Sequence, residues 1–117
     1  TCAASYASCD NPSNYRRTVH FENNILTSGT TDPVVYGTAC TFENNVIFPQ
    51  EPGIGVTNLH VDPQFVDSAN RDSRLQATSP AIDAAVPSTT FTPAADFAGV
   101  ARPQGAGHDI GAYELAP

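Results

Sequence analysis

The chain of 117 residues contains no lysine, no methionine and no tryptophan, and sets five arginines against twelve acids for a net charge of −7. A surface of that sign repels phosphate backbones, so nucleic acid is excluded as a natural partner. The scarcity of cationic side chains also removes most of the bases and charge neutralisers that polysaccharide-lyase chemistry uses. No apolar run is long enough to cross a bilayer as a helix, and neither a signal peptide nor a lipidation motif is present. Any targeting signal or anchor must therefore lie outside these residues. Helical periodicity is missing throughout.

What is present is an internal repeat. Val19-His20-Phe21-Glu22-Asn23-Asn24-Ile25-Leu26 returns twenty-one positions later as Cys40-Thr41-Phe42-Glu43-Asn44-Asn45-Val46-Ile47. In each copy apolar and polar residues alternate, two asparagines make a bend, and an apolar path resumes, which reads as strand, turn and strand. Recurrence at this period without intervening helices predicts a parallel β-solenoid with one coil per copy. Asn23, Asn24, Asn44 and Asn45 are then structural. Asparagine tolerates left-handed backbone, and its amide can bond an identical asparagine one coil away.

A degenerate third copy without an Asn pair is expected over Leu59–Val66, because Phe65 lies twenty-three positions after Phe42. The segments 27–38 and 48–57 carry Gly, Pro, Asp and Thr and read as loops leaving the coils. Residues 1–76 thus form an N-terminal loop and coils. Residues 77–117, rich in Ala, Pro and Gly, form an irregular cap of the same domain that covers the last coil and its strand edge.

Several segments of the second half carry a resemblance. Asp62-Pro63-Gln64-Phe65-Val66-Asp67, Asp72-Ser73-Arg74-Leu75, Ser79-Pro80-Ala81-Ile82-Asp83-Ala84, Asp96-Phe97-Ala98-Gly99, Arg102-Pro103-Gln104-Gly105 and Asp109-Ile110-Gly111-Ala112-Tyr113-Glu114 stand in that order. Together they resemble the C-terminal end of bacterial secreted right-handed parallel β-helix proteins of the choice-of-anchor Q type. Ser73 stands where that group often has Phe, and Ala85 where Gly is usual. The resemblance implies an all-β fold, a right-handed parallel β-helix of few coils with an irregular C-terminal cap. It also implies a setting among polysaccharide lyases and other surface proteins that act on carbohydrate.

Candidate site residues follow from parity and charge. Glu22 and Glu43 should stack about 4.8 Å apart on adjacent coils, as a carboxylate pair for glycoside chemistry or a cation, or simply as two solvated acids beside a turn. Arg16 and Arg17 could line a sugar-acid groove, although charges ahead of a strand are more often simply solvated, and His20, polar-facing by parity, could be a base in carbohydrate chemistry. In the cap, Asp83, Asp96 and Asp109 are candidate Ca²⁺ ligands, although no EF-hand or nonapeptide calcium pattern is present. The preferred arrangement needs no cofactor: Arg102 forks onto Asp109 or Glu114 while Asp83 and Asp96 cap backbone amides. Cys2 and Cys9 are close enough for a disulfide, whereas Cys40, inward by parity, reads as a small buried hydrophobe.

The first function expected is that of non-catalytic C-terminal coils and cap of a secreted β-helix protein that engages polysaccharide at or outside the cell surface. The alternative is a structural subunit of an extracellular assembly that stacks through its open N-terminal coil. A polysaccharide lyase or glycosidase comes third. The partners expected are upstream coils or a neighbouring subunit covering the face near residues 1–20, and polysaccharide.

Overall fold

The computed structural model describes residues 7–8, 19–27, 35–36, 40–49, 57–86 and 93–117. Its strands pair by repeat. β2 (Val19–Glu22) lies parallel to β5 (Cys40–Glu43) with Val19 opposite Cys40, Phe21 opposite Phe42 and Glu22 opposite Glu43. β3 (Ile25–Thr27) lies parallel to β6 (Val46–Phe48) in the same register, Ile25 opposite Val46. β1 (Ala7–Ser8) and β4 (Val35–Tyr36) form a third parallel ladder. Parallel neighbours cannot be joined by a tight hairpin, so the chain must travel round before it lies beside itself again. The all-β class read from the sequence holds, with no α-helix among the described residues.

The corner between paired strands is fixed by its two asparagines, which do different jobs. Asn23 and Asn44 adopt left-handed backbone at φ 58° and 54°, a conformation that costs asparagine less than most residues. Asn24, Asn45 and Asn58 form a column of linked asparagines, Asn24 joined through its backbone N–H. Asn45 accepts on Oδ1 from the Asn24 backbone N–H at 2.9 Å and donates through Nδ2 to the Phe21 carbonyl at 2.9 Å. One rung on, Asn58 Oδ1 accepts from the Asn45 backbone N–H at 3.0 Å, and its Nδ2 donates to the Phe42 carbonyl at 2.8 Å. Asn45 also donates through Nδ2 to Asn58 Oδ1. Asn45 is fully buried; satisfied on both sides, it makes that burial tolerable.

The third rung differs from the expectation. Leu59 pairs in parallel with Val46, Ile47 N–H donates to the Leu59 carbonyl, and Thr57 Oγ1 accepts from the Asn44 N–H. Thr57-Asn58 therefore replaces the Asn pair, thirteen positions after Asn44-Asn45. Phe65 sits instead in an antiparallel pair, β7 (Phe65–Asp67) with β8 (Asp72–Leu75), joined through a 3₁₀ turn at Ser68–Asn70. Aromatic spacing misplaced the copy because polar valences at the corner, not apolar period, set the register.

Alternation then divides the core in two. Cys40, Phe42 and Ile47 pack inside the ladders with Phe21 and Leu26, and the Phe21 and Phe42 rings stack at 4.8 Å and 5°. Val46 points the other way and is buried with Leu75, Ala81 and Ile110 against Ile25 and Phe65. Both faces of β6 are thus covered, which accounts for the unbroken apolar run Val46-Ile47-Phe48. The segment after residue 77 accordingly packs on the outer flank of the β3/β6 ladder, where Ala81 and Ile110 lie with Val46 and Ile25. It reaches back to the first repeat, where Asn23 Nδ2 donates to the Val86 carbonyl and the Gly111 N–H donates to the Asn23 carbonyl. A side chain at Gly111 would meet Ile25 Cδ1 at 2.8 Å, so glycine permits this approach.

Cys40 is disulfide-bonded, which corrects its reading as an unpaired hydrophobe: inward direction and small volume suit a thiol and a half-cystine equally. The Cys2–Cys9 pairing expected from the sequence lies outside the described residues.

Asn45→Ala should cost about 2–4 kcal/mol in denaturant unfolding, because it strands the Asn24 N–H and the Phe21 carbonyl in the interior. Asn24→Ala, on the exposed end of the column, should cost less than about 1 kcal/mol. Equal losses would contradict the column's role.

Candidate functional site

Two surfaces carry the chain's chemistry. The first is the outward row of the β2/β5 ladder. With Phe42 buried, parity turns Thr41 and Glu43 away from the interior, and His20 and Glu22 lie opposite them on β2. His20 Nδ1 hydrogen-bonds Thr41 Oγ1 across the rungs. Glu22 and Glu43 stand on neighbouring rungs as the repeat required, Glu22 half-buried and Glu43 exposed. They lie side by side on one face, whereas glycosidase carboxylates flank the scissile bond. Arg16 and Arg17, expected alongside, lie outside the described residues.

The second surface is built by the cap, whose carboxylates are turned toward backbone amides. Asp83 Oδ1 accepts from the Gly107 N–H, and Asp109 accepts from the Asp83 and Leu115 N–H groups on its two oxygens. Asp96 takes the Ala98 and Val100 N–H groups on Oδ1 and the Glu114 N–H on Oδ2. The positive ends of these amide dipoles stand where a cation would have to bind. Among the described residues no group of three or more His, Cys, Asp or Glu side chains is placed to hold a metal ion.

Arg102 and Glu114 join as expected, at 3.1 Å, with both side chains buried. The fork itself is different. Nη1 also donates to the Asp109 carbonyl and Nη2 to the Gly111 carbonyl, so Nη1 meets carboxylate and backbone, Nη2 meets backbone, and the buried Nε has no hydrogen-bond partner among the described residues. The Asp109 carboxylate takes no part, because its oxygens already hold two amides. Glu114 in turn accepts the Gln104 and Asp109 N–H groups. Arg102 is therefore the knot of the cap, tying segments 94–104 and 109–114.

Charge and burial act in opposite directions on the acids. The Glu114 amide, followed by those of Val100 and Ala98, holds the Asp96 carboxyl below its ordinary value against a desolvation penalty. Burial pushes the Asp109 carboxyl up despite its two amide bonds. At the surface, Asp72 is drawn down to about 2 by its hydrogen bonds to Arg74.

Beside this network opens a groove of about 510 Å³, lined by Val66, Arg74, Leu75, Val100, Tyr113 and Leu115 among others. Phe97, between the lining residues Asp96 and Ala98 in sequence, is 82% exposed and meets Tyr113 of the lining edge-on at 5.9 Å. Arg74 is locked to Asp72 through Nε and Nη2, which leaves Nη1 directed to no described partner. Sequence reasoning had Phe97, Tyr113 and Arg74 only as parts of the resemblance. An exposed aromatic within a Gly- and Pro-rich segment was the signal that could have marked them.

No family model, no curated protein and no solved structure matches this chain.

The amides that hold the Asp96 carboxylate make its contribution to stability depend on pH. A carboxyl held below its unfolded value of 3.8 adds stability that is complete above that value and is lost as pH falls through the folded one. Asp96→Asn replaces the acceptor facing the Glu114 N–H with a group that can present a donor. It should lower stability at pH 7 by roughly 1 kcal/mol, limited by partial exposure, and by less at pH 3. A penalty independent of pH in urea titrations would contradict this role.

Proposed function

We propose that this chain forms closing coils and cap of a right-handed parallel β-helix, and that it engages polysaccharide outside the cell without itself catalysing a reaction. The in-register parallel ladders and the asparagine column support the helical winding, and the knotted cap suits a terminating segment. The disulfide at Cys40 fits an oxidising compartment.

The observation that carries the polysaccharide reading is the cap groove with Phe97 displayed beside Tyr113. An aromatic ring left this exposed beside a concave surface offers an apolar face to the C–H side of a pyranose. The paired Arg74–Asp72 plane beside it can donate to ring hydroxyls. The charges around the groove are already matched: Arg74 with Asp72, Arg102 with Glu114, and Asp96 with three amides. With a net charge of −7, that arrangement favours a neutral sugar polymer over a polyuronate.

Native affinity electrophoresis tests this reading. Gels containing a neutral polysaccharide should retard the protein more than gels containing a polyuronate. Phe97→Ala, at a site too exposed to threaten the fold, should weaken retention roughly tenfold, the loss of about 1.4 kcal/mol. Glu22→Ala with Glu43→Ala should leave it unchanged. Identical mobility in every gel would overturn the polysaccharide reading, and loss only in the Glu22/Glu43 variant would move the site to the outward strand row.

A further inference from the structure

The asparagine column is a directional device, and its first member is incomplete. At each described step the side chain of one asparagine receives the backbone N–H of the asparagine before it, and donates to the carbonyl at the Phe position of that earlier rung. Asn45 and Asn58 both do this. Asn24 does not: it is exposed, and its Nδ2 donates instead to the carbonyl of Glu22, two residues back in its own strand.

Among the described residues the edge beside it is open in the same sense. Asn23 N–H donates to the Glu43 carbonyl, and the Phe21 carbonyl receives Asn45, so these groups of the first rung face the second. Adjacent residues of a strand aim their backbone groups to opposite sides. The N–H and C=O groups of His20 and Glu22 therefore face away from β5. Among the described strands β1, β2 and β3 each have a neighbour on one side only. The apolar interior is cut at the same level: Phe42 and Ile47 are each 1% exposed, whereas their first-rung counterparts Phe21 and Leu26 are only half-buried.

We infer that the exposed face of the first rung is a docking surface for one further repeat of the same kind, added in parallel, with Asn24 as its latch. The occupant is a strand, Asn corner and strand carrying an aromatic residue at the Phe position. On docking, Asn24 Nδ2 leaves the Glu22 carbonyl for the carbonyl at the occupant's Phe position. Its Oδ1 receives the N–H of the occupant's second asparagine, the Glu22 carbonyl is released to the new ladder, and the occupant's aromatic ring stacks on Phe21. The surface repeats, position for position, the interface that the second rung already makes with the first. It rests on the β-helix reading for its winding and is independent of the polysaccharide reading.

The test uses the whole chain, labelled with ¹⁵N, and a synthetic peptide of residues 40–48 with Ser in place of Cys40. Titration should shift the backbone amides of His20 and Glu22 and the side-chain amide of Asn24, while the β7 and β8 amides stay fixed. Asn24→Ala should weaken binding roughly tenfold, and N-methylation of the peptide at the residue corresponding to Asn45 should do the same. Combined, the two changes should cost little more than either alone, because both remove the same hydrogen bond. Dispersion unaltered by the peptide, shifts confined to another edge, or Asn24→Ala binding as tightly as the parent would overturn the inference. Concentration-dependent self-association blocking these amides would also overturn it, by assigning the surface to a second copy. Polysaccharide retention is untouched by any of these outcomes, so the two readings fail separately.

Discussion

The constraint on which the rest depends is the satisfaction of buried asparagine amides at the strand corner. A primary amide has two donors and an acceptor of two lone pairs, and burying it unpaired would cost several kcal/mol. Here the column from Asn24 through Asn45 to Asn58 resolves that cost with groups that a parallel ladder leaves at its bends, a backbone N–H and a strand-end carbonyl. A slip of one residue would break this pattern and send Phe42 to the solvent face at the same time. Polar and apolar demands therefore select one register, and the stacked phenylalanines follow from it.

The cap applies the same logic without repetition. Its acids satisfy amides of an irregular backbone that no ladder serves, and Arg102 gathers two carbonyls and one carboxylate to hold the loops together. Because these loops are fastened internally, they can cover Ile25 and Val46 on the flank while leaving Phe97 in solvent. The ladders supply a straight edge, and the cap supplies a concave surface lined by Tyr113, whose ring Phe97 meets.

Much of this was legible in the residues. The repeat at twenty-one positions gave the β2/β5 and β3/β6 registers, and alternation gave the burial of Cys40 and Phe42. Asn-Asn marked the left-handed corner, and the pairing of Arg102 with Glu114 was within reach of charge and spacing. The third rung was not, because Thr57-Asn58 keeps the hydrogen-bonding roles of the Asn pair while changing both identity and interval. Nor was the cap's position: nothing in Val46-Ile47 states that both faces are covered, since an apolar pair reads the same when only one is. The groove escaped notice because Val66, Arg74 and Tyr113 converge from segments that no local pattern links.

Hydrogen exchange bears most directly on the asparagine column. If that column sets the register, the Nδ2 protons of Asn45 and the backbone N–H groups of Asn24 and Asn45 should exchange only through global unfolding. The Asn24 side-chain amide should exchange almost freely. Rapid exchange at Asn45, at a rate matching that of Asn24, would show that the column is not closed and that the register is held by something else.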